Sequence, residues 1–177
     1  MTHPVILVTG GSRGIGAATA ILAAKRGYHV AFTYQSNAKA AAEVAEKIQA
    51  IGRQALMLQA DVAVEAEVLS VFKQVDAQLG RLDALVNNAG ILEKITRLER
   101  MDVARWQRVL NINVIGSFLC AKEAVLRIST RHGGQGGGIV NVSSAASRLG
   151  SPNEFIDYAA SKGAVDSMTI GLSKEVA

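Results

Sequence analysis

Val5-Ile6-Leu7-Val8-Thr9-Gly10-Gly11-Ser12-Arg13-Gly14-Ile15-Gly16 is the stretch from which the architecture is read. An unbroken apolar run ending in a glycine-rich turn reads as a fully buried strand, and the alanine-rich residues 17–26 that follow read as a helix. Glycines let a backbone approach a diphosphate closely, and the free N–H groups at the start of the next helix attract its negative charge. The spacing is Gly10-x-x-x-Gly14-x-Gly16 and departs from the Gly-x-Gly-x-x-Gly dinucleotide fingerprint. Taken alone, the turn leaves a purely structural role open.

Working outward, strands are expected at residues 5–9, 29–34, 55–60, 84–87 and 138–143, alternating with helical segments. That alternation is the pattern of a parallel sheet covered on both faces. Residues 64–79 carry Val64, Val68, Val71, Phe72, Val75 and Leu79 on one stripe, with Gly80 as a stop. Residues 37–51 form a helix ending before Gly52, and one long helix over residues 102–130 holds Asn113 near its middle. The glycine-rich residues 132–138 read as a flexible loop, and no helix follows them to build a phosphate site. With neither a repeat nor a linker, residues 1–177 are expected to form a single domain, dinucleotide-binding if the glycine turn takes a diphosphate.

Tyr158 and Lys162 stand four residues apart and share one helix face. A lysine cation beside a phenol favours the phenolate, which makes a tyrosine an acid or a base. Such a pair also occurs by chance on solvated faces, so it gains weight only from the rest of the chain.

Together these motifs resemble the short-chain dehydrogenase/reductase family, whose cofactor turn has this spacing and whose catalytic motif is Tyr-x-x-x-Lys. Asn87-Asn88-Ala89-Gly90, Asn113-Val114-Ile115-Gly116 and Ile139-Val140-Asn141-Val142-Ser143-Ser144 match further family segments in the right order. The resemblance implies a Rossmann-type doubly wound parallel sheet in the order 3-2-1-4-5. Family members usually continue through a sixth and a seventh strand, so the C-terminal strands look missing and the domain truncated.

By the same resemblance the catalytic residues are Asn113, Ser144, Tyr158 and Lys162. Tyr158 supplies a proton, Ser144 rather than Ser143 donates to the substrate oxygen, Lys162 favours loss of the tyrosine proton and holds the nicotinamide ribose, and Asn113 anchors a water leading to Lys162. Cofactor contacts are expected from Gly10, Ser12, Arg13, Gly14, Ile15, Gly16, Tyr34, Asp61, Val62, Asn87, Ala89 and Gly90, together with Tyr158 and Lys162. Tyr34 stands where relatives preferring NAD carry a carboxylate, and no carboxylate occurs in residues 27–42. Arg13 matches a basic position of many NADP-preferring relatives, so NADP(H) is favoured over NAD(H). Asp61 would sit beside the adenine, although the residues alone equally allow it to cap the next helix.

The implied activity is an oxidoreductase interconverting a secondary alcohol and a carbonyl, with residues 151–157 bordering the substrate and a homotetramer as the assembly. The alternative is a non-catalytic or truncated nucleotide-binding oligomerisation module.

Composition closes off other classes. The chain has 177 residues, 49% hydrophobic and 19% charged, enough to bury a core. The net charge of +4 is dispersed: Arg97, Arg100, Arg105 and Arg108 alternate with Glu99 and Asp102, which reads as a solvated helix face and not a nucleic-acid surface. Cys120 lies in an apolar helical context as a core residue, and a reducing cytoplasmic location is expected. No basic leader and no stretch long enough to cross a membrane are seen. His3, His29 and His132 lack metal-ligand spacing, and no Gly-x-Ser-x-Gly elbow marks a serine hydrolase.

Overall fold

In a computed structural model, which describes residues 3–176, five strands form one sheet: β1 (Val5–Val8), β2 (His29–Tyr34), β3 (Ala55–Gln59), β4 (Leu82–Asn87) and β5 (Gly138–Asn141). The order is β3-β2-β1-β4-β5 and every pairing is parallel. This is the Rossmann-like arrangement expected from the sequence. Parallel neighbours need long crossovers, and helices α1 (Gly14–Lys25), α2 (Ala38–Ala50), α3 (Glu65–Gln78) and α5 (Gly116–Ile128) supply them.

The apolar run of β1 is buried from end to end because it lies at the centre of the sheet. Val5 and Leu7 face one core with Phe72, Leu85 and Ala124, beneath α3 and α5. Ile6 and Val8 face the other with Phe32, Ile48 and Ala20, beneath α1 and α2. Alternate residues of one strand thus feed two separate cores, which is why the strand reads as continuously hydrophobic. On β5, the edge strand, Val140 is 57% exposed.

The expected long helix is a continuous helical run in three parts. An α4 segment (Val103–Leu110) passes into a π-type turn (Asn111–Ile115) and then into α5. No charged side chain falls between Arg108 and Lys122. As a result Val103–Ile128 is, by length and composition alone, long and apolar enough to cross a membrane, which corrects the sequence reading. In this fold 44% of its apolar window is buried, and Cys120, Ala124 and Ile128 belong to the sheet core. Cys120 is the core residue expected, and burial, aided by Glu123, pushes its thiol up to about 12.

Two further expectations change. The glycine-rich segment before β5 is packed rather than loose. The Gly136 amide donates to the Ile128 carbonyl at 2.9 Å. A Cβ on Gly137 would lie 2.2 Å from the Asp83 carbonyl oxygen, so that chain crossing admits only glycine. Arg105 is not on a solvated face: it is 7% exposed and paired with Asp157. Charge alternation in sequence is blind to a partner 52 residues away.

At the amino end of the sheet, His29 Nδ1 accepts the Gln54 N–H at 3.0 Å and its ring stacks edge-on with His3, centroids 4.9 Å apart. Burial, then the charges of His3 and Arg53, lower the His29 pKa from its ordinary value. The unfolded chain therefore binds more protons at this site, and stability falls as pH drops below the ordinary histidine value of about 6.5 towards the lower folded one. Denaturant unfolding of the unaltered protein and of His29→Gln at neutral and mildly acidic pH should show a smaller acid loss in the variant. An equal loss in both would remove His29 as the origin.

Candidate active site

The site begins where β1 and β4 part at the carboxyl edge of the sheet. Thr9 Oγ1 accepts the backbone N–H groups of Asn88 and Ala89 at 3.0 and 2.9 Å. Asn88 Nδ2 returns bonds to the Thr9 and Gly10 carbonyls at 2.9 and 3.1 Å. On the other side, Thr33 Oγ1 accepts the Gly10 N–H at 3.0 Å and the Thr33 carbonyl accepts that of Gly11 at 2.8 Å. These bonds satisfy the backbone as three strands end together, and they hold the glycine turn rigid.

Gly16 makes the turn's spacing necessary. A Cβ there would lie 2.2 Å from the Gly10 carbonyl oxygen, so the first turn of α1 rests directly on the preceding loop. Arg13, at the N-cap position, provides no side-chain cap, and the first turn of α1 holds no acidic residue. Its leading N–H groups are open to an anion.

A cleft of about 360 Å³ opens here. Gly10, Ser12, Arg13, Gly14 and Ile15 form one wall; Tyr34, Asp61 and Val62 lie opposite; and Ala89 and Gly90 contribute from the β4 side. Gln35, Ser36, Asn37, Asn88, Ile91 and Ile112 also line it, and the sequence reading passed over their side chains. Gly16 sits beneath the turn, outside the lining. Asn87 also lies outside it, its Nδ2 donating to the Ser117 carbonyl at 3.1 Å and to Asn141 Oδ1 at 2.9 Å. Asp61 does not cap α3, which begins only at Glu65. It closes a local turn instead, Oδ1 accepting the Ala63 N–H at 2.9 Å while Oδ2 accepts Gln35 Nε2 at 3.1 Å.

Beyond the short helix α6 (Ala146–Leu149), Tyr158 and Lys162 occupy successive turns of α7 (Ile156–Glu175). Lys162 Nζ stands 5.7 Å from the Tyr158 ring centroid and donates to the Val142 carbonyl at 2.7 Å, joining the tyrosine helix to the strand extension that ends in Ser144. Burial lowers the Lys162 pKa from its ordinary value, with the Asp166 carboxylate opposing. Ser143 Oγ turns towards α7 and donates to the Lys162 carbonyl at 3.5 Å. Ser144 Oγ accepts the Ala146 N–H at 3.2 Å and, among the described residues, donates to no protein group. Ser144 is thus the serine with a hydroxyl proton to offer.

Asn113, fully buried at the middle of the π-type turn, links the two halves of the site. Its Oδ1 accepts the Ile91 N–H at 2.7 Å, and its Nδ2 donates to the Ile91 carbonyl and to Ser161 Oγ, both at 3.0 Å. Ser161 Oγ donates in turn to the Tyr158 carbonyl at 2.7 Å. Ile91 lines the cleft, so a chain of hydrogen bonds runs from the cleft wall to the helix that carries Tyr158. Ser161 lies inside Tyr158-Ala159-Ala160-Ser161-Lys162, and nothing in that spacing signals its bond to Asn113.

A family model described as short chain dehydrogenase matches residues 4–177. Over 173 residues the chain is 56% identical to an uncharacterized oxidoreductase, YgfF, of Escherichia coli, covering 98% of this chain and 70% of that protein. It is 40% identical over 177 residues to a 3-oxoacyl-[acyl-carrier-protein] reductase of Synechocystis sp., covering all of this chain and 70% of that one. A solved short chain dehydrogenase from Burkholderia cenocepacia, in complex with NADP, superposes with a TM-score of 0.90 at 37% identity, covering 97% of this chain and 68% of that one. The parallel sheet, the glycine turn at its switch point, the Tyr158–Lys162 pair and these matches agree: the chain belongs to the short-chain dehydrogenase/reductase family, whose members are NAD(P)-dependent oxidoreductases.

Proposed function

We propose that the protein interconverts a secondary alcohol and a carbonyl with NADP(H), using Tyr158 as general acid and base. The observation that carries this reading is the placement of Lys162 Nζ, 5.7 Å from the Tyr158 ring and bonded to the carbonyl of Val142, two residues before Ser144. When bound, the dinucleotide supplies or accepts the hydride.

The chain's own residues do the rest. As a carbonyl carbon gains hydride its oxygen gains negative charge, and Ser144 Oγ–H donates to that oxygen. Tyr158 delivers the proton. The Lys162 ammonium stabilises the phenolate left behind and holds the ribose next to the nicotinamide. Asn113 anchors a water through which Lys162 recovers protons. Its side chain is committed to Ile91 and Ser161, and its carbonyl accepts the Ser117 hydroxyl at 2.9 Å.

The glycine turn, with the uncapped start of α1, accepts the diphosphate, and Asp61 with Val62 borders the adenine. Arg13, exposed at the rim, pairs with the 2′-phosphate in company with Ser36 and Asn37. Two of the similar proteins support the reading: one is named a 3-oxoacyl-[acyl-carrier-protein] reductase and another is in complex with NADP. The proposed substrate is a small-molecule carbonyl or secondary alcohol, and the proposed setting is cytoplasmic.

For assembly, Val103, Leu110, Ile115, Phe118 and Leu126 expose apolar surface along the α4–α5 run, between 42% and 58% each. A homotetramer covering that face is the proposed state. Light scattering should give a mass four times that of one chain, and a monomeric mass would overturn it.

The chemistry is tested by Tyr158→Phe with NADPH and ethyl acetoacetate. Loss of a general acid costs roughly a hundredfold or more in kcat, with NADPH affinity kept. Turnover retained at the unaltered rate would exclude Tyr158, and NADPH binding without turnover in the unaltered protein would favour a nucleotide-binding module over an enzyme.

A further inference from the structure

Arg105 and Asp157 form a buried, two-pronged ion pair for which the proposed chemistry has so far needed no role. Arg105 Nε meets Asp157 Oδ2 at 2.6 Å and a second guanidinium nitrogen meets Oδ1 at 3.1 Å. The remaining guanidinium nitrogen donates to the Lys94 carbonyl at 2.6 Å. The two residues are 7% and 8% exposed. Burial pushes the Asp157 carboxyl up, but its bonds to Arg105 and to the Tyr158 N–H outweigh this and hold it below its ordinary value.

Asp157 immediately precedes Tyr158. The N-cap position of α7 is Phe155, which offers no side-chain cap, and Asp157 Oδ1 accepts the Tyr158 backbone N–H at 3.0 Å instead. The first turn of the catalytic helix is therefore fixed by Asp157, and Asp157 is fixed by Arg105. Arg105 is itself fixed by α4, whose N-cap Asp102 accepts the Arg105 backbone N–H at 2.7 Å.

Through Lys94 the same guanidinium reaches residues 91–97, a segment without regular structure between β4 and α4. Two more tethers hold that segment. Arg108 Nε donates to Glu93 Oε1 at 3.0 Å, and the Thr96 N–H donates to the Glu154 carbonyl at 3.2 Å.

We propose that the Arg105–Asp157 pair positions the general acid: it locks the Tyr158 turn of α7 to α4 and to residues 91–97, setting where the phenol stands against the substrate. The role rests on the proposed carbonyl chemistry at Tyr158. Lysine cannot replace this arginine, because a single ammonium does not span both carboxylate oxygens and the Lys94 carbonyl.

The test compares the unaltered protein with Arg105→Met/Asp157→Leu and with Arg105→Lys. Removing both charges leaves no unpaired buried ion, so the double variant keeps its fold, which a thermal melt checks. Arg105→Lys keeps the charge and serves if the double variant does not fold. With isotopically labelled tyrosine, the Tyr158 ring signals, assigned through Tyr158→Phe, should shift and broaden in the variants while those of Tyr28 and Tyr34 stay in place. With NADPH and ethyl acetoacetate, kcat should fall roughly a hundredfold, as a misplacement of about 1 Å costs, with a much smaller change in KM.

Unmoved Tyr158 signals in a folded variant, or an unchanged kcat, would make the pair a purely structural bridge. If the unaltered protein fails to reduce the probe, carbonyl reduction fails for that substrate while the tyrosine spectra still decide the positioning role.

Discussion

The hydrogen-bonded knot of Thr9 and Asn88 is the constraint from which the site follows. A parallel sheet must send its connections away in opposite directions where the strand order reverses, and β1 sits at that reversal with β2 on one side and β4 on the other. The backbone groups at the strand ends would be orphaned as the chains diverge. Thr9 Oγ1 and Asn88 Nδ2 take them up with four bonds between 2.9 and 3.1 Å. With the strand ends closed internally, the N–H groups at the start of α1 remain for a ligand.

A second frame of polar contacts then builds the chemistry on this edge. Asn113 holds the cleft wall at Ile91 and the tyrosine helix at Ser161 with one side chain, from a π-type turn whose extra residue interrupts a regular helix. Lys162 ties the same helix to the serine-bearing strand extension, and Arg105 grips its first turn. Three buried polar side chains therefore place α7 from three sides. The hydrophobic core alone, which is tolerant of sliding, would not fix a phenol to within an ångström.

Much of this was legible in the sequence, for identifiable reasons. The strands of a doubly covered parallel sheet are written as apolar runs, so β1 and β2 stood out, and helix α3 showed its stripe of Val68, Val71, Phe72 and Val75. Gly10 and Gly16 were readable because neighbouring backbone crowds out a Cβ there, and Gly14 because its φ of +54° favours glycine. What stayed hidden was long-range. Arg105 looked solvated because its neighbours in sequence are charged, while its partner lies on another helix. Asp61 could equally be read as a cap or as a neighbour of the adenine, because nothing in the local sequence places the start of α3 at Glu65, four residues on. Asn88 was quoted inside a motif, yet nothing in its spacing told that it bonds to Thr9 and Gly10. The π-type turn at Asn113 leaves no mark in a helical apolar pattern, and the glycine-rich segment before β5 looked loose because its packing against Asp83 is tertiary.

The central claim is that the cleft over the glycine turn takes a nicotinamide dinucleotide and that Arg13 selects its 2′-phosphate form. Titrating the protein and Arg13→Ala with NADPH and with NADH, following nicotinamide fluorescence, tests it most directly. The account predicts saturable binding of both to the unaltered protein, tighter for NADPH, and in the variant a loss of roughly 1.4 kcal/mol or more in NADPH binding, about tenfold in affinity, that leaves NADH unchanged. Absence of saturable binding, or an NADPH-to-NADH ratio that Arg13→Ala leaves untouched, would contradict it.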